Sequence, residues 1–241
     1  MAGTASGEPK GADGAAESLR VLRVARRSAV KARTQAANQL HALLCTAPEG
    51  LKEGLRGLAT KHLAARAARL RCAVDPAEPP AATKFALRSV ARRYRDLSEE
   101  IAELEVQIER VAREVAPQLM ALDGVGPDTA ATLLIAAGDN PERLKSEASF
   151  AHLCGTAPVQ ASSGKVVRHR LNPGGNRDAN RALYMVALNR VRRDERTQAY
   201  VARRTAEGKS KKEAMRCLKR YIARETYRAI LLDAVARVAP S

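Results

Sequence analysis

From Leu87 to Val115 the apolar residues Leu87, Val90, Tyr94, Leu97, Ile101, Leu104, Ile108, Val111 and Val115 return at alternating steps of three and four without a miss. That spacing winds one apolar seam along a helix and is the signature of a coiled coil. A strand, which changes face at every residue, cannot carry it. Pro117 closes the run. Upstream, Leu22, Ala25, Ala29, Ala32, Ala36, Leu40 and Leu43 draw a second stripe over residues 15–44, with Arg20, Arg23, Arg26, Arg27, Lys31 and Arg33 largely around it. The pattern allows the two helices to fold back on each other or to pair with a second subunit. Either way, residues 15–116 are expected to form a coiled-coil linker that supports a homo-oligomer. Residues 1–14, rich in Gly, Ala and polar side chains, are expected to be a disordered tail. Pro48 and Gly50 end the first helix, a shorter one is expected over 51–71, and three prolines between Asp75 and Pro80 make a break.

Composition supports an all-α reading. Aromatic residues make up 3% of the chain and Trp is absent, whereas sheets favour branched and aromatic side chains. The formal charge is +16 and the pI about 10.3, a field that attracts polyanions, so nucleic acid is the leading partner. No apolar run approaches a membrane span, and the opening MAGTASGEPKGADG has no apolar signal-peptide core, so no membrane and a cytoplasmic location are expected. Cys45, Cys72, Cys154 and Cys217 form no CxxC pair and read as reduced, mostly buried small residues. His41 with Cys45, or His152 with Cys154, offers too few ligands for a metal site, so no metal is expected on this chain.

Residues 117–236 read as a compact helical domain. In LMALDGVGPDTAATLL, from Leu119 to Leu134, two helix-like runs flank Gly124-Val125-Gly126-Pro127. The glycines permit a tight turn and Pro127 suits a first helical position. This punctuation fits a helix-hairpin-helix, in which Gly124, Val125 and Gly126 present amides to a phosphate; an ordinary αα-corner shares it. A short helix follows around Ser146 to Leu153, capped by Ser146. PVQASSGKVVRHRLNPGGN then lacks helical periodicity and is expected to be a small irregular or β segment. Helices return over 178–192 and 198–206. Ser210 with Glu213 makes a capping box for a last helix running to about 236.

Between Lys165 and Arg228 there are nineteen Lys or Arg against six Asp or Glu, so this window carries most of the net charge. Lys212, Arg216, Lys219, Arg220 and Arg224 fall at helical neighbour spacing. Such a face suits a phosphate backbone, with Lys165, Arg168, Arg170 and Arg177 as further contacts. Ser162 and Ser163 stand beside Gly164 and Lys165 at the start of this block. A serine hydroxyl needs positioning, cations and a proton acceptor before it attacks a phosphodiester, and Lys165, Arg168 and Arg170 supply the charge. The residues alone fit a plain turn equally well.

The order LDGVGPDTAATLLIAAGD, FAHLCGTAPVQASSGK, GGNRDANRAL and TQAYVARRTAEGKSKKEAMRCLKRYIARETY resembles the C-terminal domain of the DEDD-type insertion-sequence transposases, the IS one-hundred-and-ten family. The upstream stretch RVLRVARRSAVKARTQAANQLHALL and the heptad helix resemble that family's coiled-coil linker. The resemblance implies a bacterial, nucleoid-associated DNA recombinase guided by a structured RNA of the element. It implies Ser163 as the nucleophile, with Ser162 as the neighbour. In the family, Mg²⁺ is held by an N-terminal RuvC-like acidic domain, and nothing before Asp13 reads as a strand ending in such an acid. The expectation is therefore a truncated transposase that binds DNA and RNA. The alternative is a non-enzymatic, dimerising nucleic-acid-binding regulator.

Overall fold

The computed structural model describes residues 8–72, 77–160, 169–170, 172 and 174–238. Among the described residues the fold is all-α apart from one two-residue ladder, and the chain divides into two units, Leu22–Gln107 and Ile108–Ser241 with Met1–Val21. The division falls inside two long helices, α1 (Ala15–Thr46) and α4 (Pro79–Val115).

In the first unit α1 and α4 lie antiparallel, one of the two arrangements that the heptads allow. Arg26 ion-pairs with Glu105 at 2.5 Å, and Arg93 donates to Gln39 at 2.6 Å. The seam is as spaced: Leu87 and Ile101 are buried, with Val90, Tyr94, Leu97 and Leu104 half-buried. On α1, Ala29, Ala36 and Leu40 are buried, but Ala25 is exposed and Arg26 is half-buried in its place. A single methyl holds no helix face inward, whereas an arginine stem lies along a seam and sends its head to a carboxylate. The expected helix over 51–71 is instead two short helices, α2 (Glu49–Lys52) and α3 (Thr60–Ala67), because Gly54 and Gly57 interrupt it. Leu55, Leu63, Ala64 and Ala67 close a core against Leu40, Leu87 and Ala91. Each fully buried leucine there stabilises by roughly 1.5–3 kcal/mol.

The second unit is built round α10 (Lys211–Val238), which packs on α5 (Pro117–Met120), α7 (Glu147–Leu153), α8 (Arg177–Arg193) and α9 (Glu195–Ala206). Leu218, Ile222, Ala223, Thr226, Tyr227 and Ile230 form its buried stripe, and Phe150 of α7 stacks on Tyr227 with ring centroids 5.3 Å apart. The capping box is present: Ser210 N–H donates to Glu213 at 2.9 Å and Glu213 N–H to Ser210 Oγ at 3.3 Å. Ser146 caps α7 by accepting from Ser149 N–H. Residues 8–14, expected to be disordered, are tied down: Gly11 N–H donates to Asn140 Oδ1 at 2.7 Å, and Gly14 and Ala16 N–H to Asp139 at 3.1 and 2.8 Å. These anchors satisfy amides at the start of α1 from more than 120 positions away, a pairing no local pattern carries. Cys154 is buried as expected and Cys45 is exposed.

Candidate nucleic-acid interface

The hairpin runs from α5 through a turn into α6 (Pro127–Ala137). Gly124 has φ +76°, and a Cβ there would meet the carbonyl oxygen of Val186 at 3.3 Å, so the turn needs glycine both for its conformation and for its approach to α8. Arg190 of α8 fastens the same turn by donating Nε to the Asp123 carbonyl at 2.8 Å. Val125 is buried and its N–H is bonded to the Leu122 carbonyl at 3.1 Å. Gly126 differs: as the N-cap of α6 it has open space where a Cβ would stand, and Pro127 follows at the first helical position. The hairpin thus presents a helix N-terminus through Gly126, on a turn whose other glycine is used internally.

Ser162, Ser163, Lys165 and Arg168 lie outside the described residues, as do Val166, Val167 and Leu171. The flanks of their segment are described. Val159–Gln160 (β1) pairs antiparallel with His169–Arg170 (β2), which places Arg170 on the second strand. Just upstream, Gly155 touches Gly175 so closely that a Cβ on Gly175 would stand 2.2 Å from the Gly155 nitrogen. Only glycine permits two backbones to meet this way. Asn176 N–H donates to the Leu153 carbonyl at 2.6 Å, and Asn180 Nδ2 donates to the carbonyls of Cys154 and Gly155, both at 2.9 Å. Asn180 Oδ1 in turn accepts from Lys219 Nζ at 2.8 Å.

Lys219 therefore departs from the solvent-facing stripe in which the sequence placed it. It is 6% exposed, its ammonium lies 5.9 Å from the Tyr184 ring centroid, and burial, then the charge of Arg216, pushes its pKa below the usual lysine value. Its signal was in the sequence: it stands three, seven and eleven residues before Ile222, Thr226 and Ile230, on the apolar stripe. Burial pushes the Cys154 thiol up to about 12, so it is inert beside this junction.

The other cations reach the surface. Arg177 opens α8, directly after its N-cap Asn176, and is exposed; Lys212 is exposed on α10, and Arg216 and Arg220 are half-buried one and two turns on. Arg224 and Arg228 share one carboxylate, that of Glu147, with Arg224 Nε at 3.7 Å and the Arg228 contact shorter. The basic face is thus open toward the start of α10 and partly neutralised further along. Asn180 and Arg190, which organise the site, were missed because neutral or single polar residues leave no periodic mark. Among the described residues no three of His, Cys, Asp and Glu gather as metal ligands, so they fit no Mg²⁺ site. None of the described helices is long and apolar enough to cross a membrane.

Residues 116–202, which take in the hairpin, the serine-bearing segment, α8 and most of α9, match the family described as Transposase IS116/IS110/IS902. The chain is similar to the insertion element IS110 uncharacterized 43.6 kDa protein of Streptomyces coelicolor, with 33% identity over 53% of this chain and 32% of that protein. It is also similar to the insertion element IS900 uncharacterized 42 kDa protein of Mycobacterium paratuberculosis, with 29% identity over 65% of this chain and 40% of that one. The aligned part thus spans only 32% and 40% of these relatives' own lengths. Residues 116–202 thus carry the sequence pattern of the IS116/IS110/IS902 family of insertion-sequence transposases.

Proposed function

We propose that this chain carries the DNA-binding and serine-bearing part of an insertion-sequence transposase, and that it acts in transposition on DNA together with a structured RNA of the element. The observation that supports the reading is the family match over residues 116–202, within which Gly155 and Gly175 meet backbone to backbone beside Asn180 and Lys219. In the proposed step Ser163 Oγ, or Ser162 Oγ as the alternative, bonds to a DNA phosphorus while the bond from that phosphorus to a deoxyribose oxygen breaks. The hydroxyl proton goes to a base and the leaving oxygen is released protonated. Lys165, Arg168 and Arg170 stabilise the charge on the phosphoryl oxygens. Arg177, Lys212, Arg216, Arg220 and Arg224 take the backbone phosphates, and Gly126, with Gly124 and Val125 shaping its turn, presents the α6 N-terminus. Lys219 supports the segment and makes no phosphate contact. The arm formed by α1 and α4 offers a surface for self-association, and the site of action is the bacterial nucleoid.

The test is a recombination assay on supercoiled donor and target DNA, with the element's RNA and Mg²⁺, that traps covalent protein–DNA adducts. Adducts from the wild-type chain that Ser163→Ala abolishes, with DNA binding retained, are the expected result. Adducts that persist in both Ser163→Ala and Ser162→Ala would overturn the assignment. A steep fall of DNA affinity with salt is expected throughout.

A further inference from the structure

A tetrapeptide pattern occurs on two neighbouring helices: Tyr200-Val201-Ala202-Arg203 on α9 and Tyr221-Ile222-Ala223-Arg224 on α10. In each, the arginine stands near the ring of its own tyrosine, with guanidinium carbons 5.6 Å from the Tyr200 centroid and 6.0 Å from the Tyr221 centroid. The two rings meet edge to face, 5.7 Å apart at 82°. Packing of α9 on α10 accounts for Tyr200, which is half-buried and whose hydroxyl pKa is raised, first by burial. It does not account for Tyr221, which is 56% exposed in a chain with five tyrosines, two phenylalanines and no tryptophan. A protein that fills its core with Ala and Leu has placed one of its few aromatic rings in water, with the Arg224 guanidinium near it.

We infer that Tyr221, backed by Tyr200 and flanked by Arg203 and Arg224, is a stacking platform for an unpaired nucleobase in a single-stranded or looped-out stretch of nucleic acid. The inference rests on the nucleic-acid reading above and narrows it to one ligand chemistry. Every base has a π-face that stacks on an aromatic ring, and a guanidinium beside the ring takes the adjoining phosphate. Glu207, 4.0 Å from Arg203, and Glu147, 3.7 Å from Arg224, temper the charge without covering the Tyr221 ring. A continuous duplex keeps its base faces stacked on one another, so the platform distinguishes unpaired strands from duplex.

The test titrates the full chain with labelled oligo(dT), oligo(rU) and a duplex of equal length, using wild type, Tyr221→Leu and Tyr221→Phe, each checked for an unchanged thermal melt. Tyr221→Leu is expected to weaken unpaired-strand binding about fivefold or more, the low end for loss of one stacked base, with duplex affinity within about twofold and Tyr221→Phe near wild type. Because the chain lacks Trp, tyrosine emission reads the contact directly: unpaired strand should quench it in wild type and less in Tyr221→Leu. A preference for dT or rU in wild type that Tyr221→Leu removes supports the platform and identifies the strand as DNA or RNA. Equal binding of the unpaired strand by wild type and Tyr221→Leu, or equal weakening of unpaired strand and duplex, overturns the platform and leaves the nucleic-acid reading standing. Failure of the wild type to bind any of the three overturns that reading itself.

Discussion

The unit Leu22–Gln107 and the unit built round α10 are held by contacts of different kinds. In the first, the contacts repeat: seam positions of α1 and α4 follow one another every three or four residues, and each does much what its neighbours do. In the second, single polar side chains bind segments far apart in sequence. Asp139 holds the start of α1, Asp233 accepts from Gln118 and Leu119 N–H at 2.9 and 3.0 Å, and Asn180 carries Lys219 to the carbonyls of Cys154 and Gly155. A repeated contact tolerates the loss of one member, whereas a single anchor has no understudy.

Predictions follow the size of the effect. Phe150→Ala removes a fully buried ring stacked on Tyr227 and should cost about 3–5 kcal/mol in denaturant unfolding of the full chain. Asp233→Ala leaves two amides at the start of α5 unsatisfied and should cost about 2–3 kcal/mol. Its counterpart in the arm, Arg26→Ala, removes an ion pair whose carboxylate partner is 51% exposed and should cost under about 1 kcal/mol. If the two costs are equal, the contrast between anchors and rungs is broken. Gly124→Ala forces a side chain into φ +76° against Val186 and should cost about 1–2 kcal/mol, with a matching loss of DNA affinity if the hairpin meets phosphate.

The remaining two are smaller. Thiol labelling near pH 8 should modify exposed Cys45 quickly and Cys154 only when its unit opens, so the rate at Cys154 reports that unit's opening directly. Asp194, whose pKa is lowered first by its bond from the Thr197 hydroxyl, caps α9. Since the folded pKa is the lower one, this contribution is complete above the ordinary aspartate value and fades as pH falls through the depressed one. Asp194→Asn should flatten the acid limb of a melting-temperature profile slightly.

The same contrast explains what could be read from sequence. Repetition is visible in one chain, so the stripes of α1 and α4 were legible, as was the capping box at Ser210, whereas Pro79 and Pro80, read as part of a break, open α4. The ordered residues 8–14 were not, since their partners Asp139 and Asn140 lie far along the chain. Lys219 was misplaced because charge was counted before helical phase, although its phase was available. The basic face of α10 was legible as a stripe; its partial neutralisation by Glu147 needed the fold to bring α7 alongside. Ser163 and its neighbours lie outside the described residues, so that part of the site rests on the resemblance and the family match alone.

The meeting of Gly155 with Gly175 has a consequence for chain statistics. Gly155 and Gly175 share one tethered point, so the entropy lost in bringing these two positions together is offset by the bonds of Asn176 and Asn180 around it. A side chain on Gly175 would therefore undo a closure of the chain and not merely one contact.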